Sequence, residues 1–203
     1  MVKRKRIKQF IKNNPIVKDF LLFAVVTILF HFLYWETNMN LWLFGSWTKD
    51  IYDFFTLIAL KGTALLSEFF FATDFEVASS CLRFFDSNNT TICTMEVVDS
   101  CSGIKQLLQL FMIMLIVPNK LWKRMVYFLC ASIVVLFFNI VRIFGLTGVL
   151  LYHSDKYQFI HDWIGRPFHY VVVFLIWVIW IEFFAYTKKN PLSKNEKKAE
   201  LIS

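Results

Sequence analysis

Three residues of the sequence have side chains that could together carry out nucleophilic chemistry: Cys101, Arg142 and His161. A cysteine attacks as its thiolate, a histidine can serve as general base near neutral pH, and an arginine can stabilise an anion through a charge-assisted hydrogen bond. Asp99 and Ser100 precede Cys101 and are residue types that begin helices, so we expect the thiol in a first helical turn. There the exposed N–H groups and the helix dipole favour a thiolate. The alternative is an inert packed cysteine, which is common for this residue type.

The composition indicates that these residues belong to a membrane protein. Of the 203 residues 57% are hydrophobic, and 24 are Phe whereas only 6 are Gly and 4 are Pro; a typical soluble domain is about 45–50% apolar. The net charge of +7 could suggest a nucleic-acid binder, but 15 of the 22 Lys and Arg residues lie in three short segments that flank apolar runs, at residues 1–18, 118–125 and 187–203. The positive-inside rule gives cytoplasmic segments this distribution. We therefore expect an integral membrane protein with no nucleic-acid partner, and we exclude a disordered chain, a collagen-like repeat and a soluble zinc module.

Apolar runs predict four membrane-spanning helices, at about residues 20–35, 103–117, 125–148 and 168–186. The basic segments then lie in the cytoplasm, with both termini and the basic C-terminal tail 187–203. Residues 36–102 and 153–167 are placed on the extracytoplasmic face. The predicted fold is an all-α, multi-pass protein of the cell inner membrane, with a single membrane domain over residues 1–203.

Two smaller elements are expected on the outer face. Residues 51–71 carry most polar and apolar side chains on different sides of a helical wheel, which predicts an amphipathic helix in the outer interface or capping the bundle, and not a span. Residues 75–98 alternate around a polar turn, which predicts a β-hairpin. If the turn is centred near Ser87, Cys81 and Cys93 face each other within disulfide distance, and the oxidising outer face would preserve the bridge. Otherwise both are free or buried thiols.

This topology brings the three candidate residues to one membrane face. Cys101 lies at the outer end of a descending helix, Arg142 near the outer end of an ascending one, and His161 in the outer loop. An arginine in an apolar helix is costly unless it faces protein or water, so it is a functional candidate by default. The alternative is an arginine whose charge extends to the outer headgroups. Asn139 is three residues earlier on the same helical face, which indicates an inward polar stripe, and we assign this residue to positioning.

Further residues have supporting roles in this hypothesis. Gly103 would let a substrate backbone approach closely, and Asp162 could orient His161. His169, at the start of the last span, competes with His161 for the role of general base, and we favour His161. We expect no metal ion and no cofactor.

The same residues form a pattern that resembles a known family. The sequence resembles the exosortase/archaeosortase family of membrane transpeptidases in three motifs, which occur in this order: Cys101-Ser102-Gly103 at a helix start, Asn139-x-x-Arg142 in the next helix, and His161 followed by Gly165. The resemblance covers about residues 50–170, and the short chain looks like the compact bacterial exosortases of Bacteroidetes. It implies that the cysteine is the nucleophile and that the arginine and histidine complete the active site. The implied substrates are secreted proteins that end in a sorting motif, a transmembrane helix and a basic tail.

The leading hypothesis is therefore a membrane cysteine protease or transpeptidase that removes this C-terminal sorting signal through a thioester, with water, a lipid or a sugar as acceptor. Membrane lipids are its other partners. A membrane thiol-disulfide oxidoreductase is one alternative, because such enzymes can carry four cysteines. The sequence contains no Cys-x-x-Cys, however, and Cys130 is predicted to be mid-membrane. A non-enzymatic membrane assembly protein is the other alternative, but it leaves Arg142 and His161 without a role.

Overall fold

The computed structural model describes residues 15–37, 45–71, 73–116 and 119–185 of a mostly helical chain with one small antiparallel sheet. The basic arm before Pro15 and the tail 187–203 lie outside the described residues. The chain divides into two compact units, Met1–Ile51 and Tyr52–Ser203. In the first unit, helix α1 (Pro15–Glu36) contains the expected first apolar run. It has no charged residue between Phe20 and Trp35, and its 22 residues extend about 33 Å.

Helix α2 (Thr48–Phe70) covers the segment that was expected to be amphipathic. Its inward face combines apolar residues such as Leu60 with the fully buried Thr63 and Ser67. Its outward face is mixed: Leu65 is 55% and Phe69 76% exposed, and charged residues of the helix such as Asp50, Asp53, Lys61 and Glu68 are exposed as well. The charged residues of this helix are thus exposed, whereas its hydroxyl residues Thr63 and Ser67 are buried, because short hydroxyl side chains allow close helix packing.

The expected hairpin is a three-stranded antiparallel sheet in the order β1 (Phe75–Ala78), β2 (Cys81–Phe85) and β3 (Thr91–Glu96). The prediction treated the residues before the polar turn as one strand. In the structure a tight turn at Ser79 and Ser80 divides them, and Ser79 adopts a φ of 51°. The second turn, over residues 86–89, lies where it was expected.

The register of the sheet contradicts the argument for a Cys81–Cys93 disulfide. Cys81 is opposite Glu96, and Cys93 is opposite Phe84. The two cysteines are thus three positions out of register, about 10 Å along the strands. An odd offset also points the side chains to opposite faces of the sheet. All four cysteines lie in the described residues and are free.

Two helices follow the sheet. Helix α3 (Ile104–Ile116) and helix α4 (Leu121–Tyr152) correspond to the second and third expected spans. The 32 residues of α4 extend about 48 Å, more than a ~30 Å hydrocarbon core requires. The 13 residues of α3 extend only about 20 Å.

The chain from Tyr157 to Ala185 is helical throughout. Helix α5 (Tyr157–Ile160) leads into a π-helical turn (His161–Gly165), helix α6 (Arg166–Trp180) and a final π-helical turn (Ile181–Ala185). The expected outer loop 153–167 is therefore helical from Tyr157 onward. Pro167 does not interrupt it, because this residue lies in the first turn of α6, where a backbone N–H is not required.

Among the described residues, two helical stretches are long and apolar enough to cross a membrane, Leu121–Tyr152 and Ser154–Phe183. The stretches Phe20–Tyr34 and Ile104–Ile116 are shorter apolar helices. Length and composition thus support membrane crossing directly for the third and fourth expected spans.

Helix α2 lies beside α4. A Cβ on Gly62 would contact the side chain of Ile140, and the rings of Phe71 and Phe144 stack with centroids 4.9 Å apart.

A buried apolar cluster joins the sheet to the helices. Its residues come from α2, the sheet, the segment before α3, and α4, and they are Ala59, Leu60, Leu82, Phe84, Met95, Val97, Cys101, Ile143 and Leu146. The cluster fixes Cys101 at the junction between the sheet and the helical bundle.

Candidate active site

Cys101 is the last residue of a short 3-10 turn (Asp99–Cys101) that links the sheet to α3. Its N–H donates to the carbonyl of Val98 at 2.7 Å, and its side chain is buried. Helix α3 begins three residues later, so the thiol does not lie in its first turn as expected. The side chain that faces the helix start is Ser102, whose Oγ accepts a hydrogen bond from the Ile104 N–H at 3.4 Å.

Asn139 holds the backbone at the cysteine. Its Nδ2 donates to the carbonyl oxygen of Cys101 at 2.7 Å, and Asn139 is 1% exposed. Gly103 adopts a φ of +86°, and a Cβ there would lie 3.2 Å from Asn139 Nδ2. The glycine is therefore required for a left-handed backbone and for the close approach of α4 to the cysteine segment. In this structure Asn139 thus holds the backbone of the segment that carries Cys101.

Arg142 lies one helical turn after Asn139 and contacts the thiol. Its Nη2 is 3.7 Å from Cys101 Sγ, and its Nη1 is 3.3 Å from Nδ1 of His169. The residue is only 9% exposed. The alternative in which its charge extends to the headgroups is therefore wrong: the guanidinium points into the bundle, between two other buried side chains.

His161 belongs to the π-helical turn before α6. Its Nδ1 is 2.9 Å from Oδ1 of Asp162, and this carboxylate also accepts from Gln158 Nε2 at 2.7 Å and pairs with Arg166 at 3.4 Å. If Nδ1 carries the proton, Nε2 keeps its lone pair, which is the form that a general base requires. π-helical turns are rare in proteins overall, and those that occur are often found at functional sites.

The structure brings some of the expected residues together directly and others only through a neighbour. Cys101, Asn139 and Arg142 are in contact. In the described stretches 73–116 and 119–185, no hydrogen bond joins Cys101 to His161. The ring of Tyr157 stacks on the His161 ring with centroids 5.8 Å apart, and the charges near Tyr157 include those of Cys101 and Arg142.

Two contacts were missed from the sequence. His169 was weighed only as a base, although it is an ionisable residue in an apolar helix, which is a general sign of a buried polar partner. Tyr157 precedes His161 by four residues, a helical spacing that would have predicted the stacking if this segment had been expected to be a helix.

No group of three or more His, Cys, Asp or Glu residues in the described part of the chain could hold a metal ion.

Comparison with known families identifies the group to which this geometry belongs. A family model described as "Transmembrane exosortase" matches residues 68–178, which is more than half of the chain. The chain belongs to the transmembrane exosortase family. The exosortase match runs from the end of α2 into α6. It therefore includes Cys101, Asn139, Arg142, His161 in the π-helical turn and His169 in α6. Comparisons with curated proteins and with solved structures gave no match.

Proposed function

We propose that this exosortase is a membrane cysteine transpeptidase or protease that cleaves the C-terminal sorting signal of secreted proteins at the extracytoplasmic face. The contact between the buried guanidinium of Arg142 and the thiol of Cys101 carries this proposal. A buried charge has a high desolvation cost, so an arginine directed at a thiol is better explained by an anion that forms there than by packing.

The first half-reaction forms a thioester. His161 accepts the proton of the Cys101 thiol, and the sulfur attacks the carbonyl carbon of the scissile peptide bond. The C–N bond then breaks, and the protonated His161 gives its proton to the leaving amine, which departs with the transmembrane helix and basic tail of the substrate. Asp162 orients His161 for both transfers, through the bond to Nδ1.

The second half-reaction transfers the acyl group. An acceptor hydroxyl or amine, or water, gives a proton to His161 and attacks the thioester carbonyl carbon. The C–S bond then breaks, and His161 returns the proton to the sulfur, which restores the thiol. Arg142 stabilises the thiolate and the oxyanion of each tetrahedral intermediate, because its buried guanidinium offers several donors in one plane.

The position of the thiol supports a substrate that arrives from the outer face. Cys101 lies where the small sheet meets the bundle, and the sheet carries the turn Asp86–Asn89, which is exposed. In a substrate with a transmembrane helix, the segment that precedes this helix on the outer face would lie at the level of Cys101. The basic tail of such a substrate would stay in the cytoplasm by the positive-inside rule.

Loss of the thiol tests the proposal. A secreted reporter with a sorting signal from the same cell is co-expressed with wild-type protein, Cys101→Ala or Cys101→Ser, and tail removal is followed by intact mass. We expect no processing in either variant, with unchanged accumulation in the membrane. Cys130→Ala is the matched control, because Cys130 is exposed on α4, and it should process normally. Normal tail removal by Cys101→Ala would disprove the proposal.

A further inference from the structure

We propose that His169 is a positioning residue: as a neutral imidazole it accepts a hydrogen bond from Arg142 and thereby holds the guanidinium against the thiol of Cys101. The inference rests on the proposed roles of Cys101 and Arg142, and it gives the second histidine of the region a function different from that of the general base.

The guanidinium contacts its two neighbours through different nitrogens. Nη1 approaches His169 Nδ1 at 3.3 Å, and Nη2 approaches Cys101 Sγ at 3.7 Å. The group is planar and rigid, so a bond at one nitrogen fixes the direction of the other. The contact to sulfur is long, and without the histidine the flexible arginine side chain would have several other conformations available.

The bond defines the protonation state of the histidine. An arginine has only donors and is not deprotonated in proteins, so Nδ1 of His169 must be the acceptor and the ring must be neutral. His169 is 1% exposed, and a protonated ring would place a second cation beside Arg142 in the bundle.

The same geometry argues against His169 as the general base. The guanidinium lies between the histidine and the thiol, and it cannot relay a proton because it does not release one. His169 therefore acts through Arg142. A histidine that only fills space in the bundle would have no such dependence, and this difference can be measured.

The experiment measures the alkylation rate of Cys101 in membranes, in a background where Cys81, Cys93 and Cys130 are replaced by Ser. Iodoacetamide at pH 7 is the probe, and mass spectrometry is the readout. Because no substrate is needed, the result is independent of whether Cys101 is the nucleophile of the sorting reaction, which the processing assay tests.

The variants are His169→Leu, which keeps the volume but has no acceptor, and His169→Asn, whose amide oxygen can occupy the position of Nδ1. His169→Gln is the control, because its oxygen falls nearer to Nε2.

We expect alkylation to be about tenfold slower in His169→Leu, in line with the loss of a hydrogen bond to a charged group. His169→Asn should recover most of the rate, and His169→Gln should not. In an Arg142→Met background the Leu substitution should have no further effect, since coupled residues are not additive. An unchanged rate in His169→Leu, or an equal loss with and without Arg142, would overturn the proposal. If His169→Leu fails to fold, the comparison of His169→Asn with His169→Gln at equal membrane accumulation still tests the proposal, and equal alkylation rates in these two variants would overturn it.

Discussion

Replacement of Gly103 by alanine should disable the site by moving the backbone that carries the thiol. The φ of +86° at Gly103 is a conformation that side-chain-bearing residues rarely adopt. An added Cβ would also lie 3.2 Å from Asn139 Nδ2, closer than ordinary van der Waals contact. The same Nδ2 donates to the Cys101 carbonyl at 2.7 Å, so the clash falls on the hydrogen bond that positions Cys101.

The expected size of the effect follows from these two contacts. A left-handed conformation costs a non-glycine residue about 1–2 kcal/mol, and the net value of one neutral hydrogen bond is about 1 kcal/mol. The folded state therefore either carries about 2–3 kcal/mol of strain or relaxes and displaces Cys101. If that energy is lost from the transition state, processing falls roughly 30- to 150-fold.

The assay compares two glycine-to-alanine variants in the same chain. Gly145→Ala is the matched control, because a Cβ at Gly145 has no neighbour within 4 Å and its backbone is helical. Alanine in a helix interior is more stable than glycine by about 0.5–1 kcal/mol. Gly145→Ala should process the reporter normally and unfold at the same or a higher temperature in detergent, whereas Gly103→Ala should lose processing. Wild-type processing and an unchanged unfolding temperature in Gly103→Ala would refute the role given to this backbone.

Three other predictions follow from single contacts or positions. Arg142→Lys should lower reporter processing at least about tenfold although the charge is kept, because one amine cannot replace a guanidinium whose two nitrogens contact Cys101 and His169. Wild-type processing by this variant would show that Arg142 has only a structural role. On intact cells, a membrane-impermeant thiol reagent should label an engineered cysteine at Asn88 but not at Asn119, and the reverse result would invert the proposed topology. Peptide mapping without reduction should recover Cys81 and Cys93 as separately alkylated peptides. Cys93 should react more slowly than a solvent-exposed thiol, because burial raises the pKa of the Cys93 thiol and lowers its thiolate fraction at neutral pH. A linked peptide would contradict the observed strand register.

The long apolar helices could be predicted because one strong signal determines each of them. Between the basic turn at Lys120 and Tyr152 the sequence is apolar and contains no proline, so hydropathy and length leave little freedom for α4. The same reasoning located Arg142 and Asn139 on one face of this helix, and the structure confirms that both are buried. Periodicity is reliable here because a helix imposes its own spacing.

Strand register could not be obtained in the same way. The turn at Ser79 and Ser80 requires only two residues, and neither is a glycine or an asparagine, which would have marked a left-handed position. That turn separates β1 from β2, however, and the pairing of β2 with β3 depends on where the second turn is centred. Because Cys81 pairs with Glu96 and Phe84 with Cys93, the second turn is centred between Asn88 and Asn89 and not near Ser87. The predicted pairing of Cys81 with Cys93 depended on that register alone, which explains why it was wrong although both residues do lie in neighbouring strands.

The helix after Tyr152 shows a different limit. Pro167 suggested a helix start near Phe168 because proline is common in first turns. That rule holds locally, since Pro167 is in the first turn of α6. It does not exclude a preceding helical segment, and here the π-helical turn joins the two: the N–H of Arg166 donates to the carbonyl of His161, five residues earlier. Treating His161 as a loop residue hid its stacking on Tyr157.

The two histidines can hold different roles because they lie on one rigid helical segment in different surroundings. His161 is partly exposed and bonded to a carboxylate, as suits a residue that must exchange protons with a substrate and an acceptor. His169 is buried and bonded to a cation, as suits a residue that must stay neutral and still. Tyr127, whose hydroxyl donates to the Ile176 carbonyl at 2.6 Å, ties α4 to α6 further along the same pair of helices. Since Arg142 on α4 also contacts His169 on α6, the contact of Arg142 with the thiol depends on the packing of α4 against α6 and forms only after the bundle has assembled.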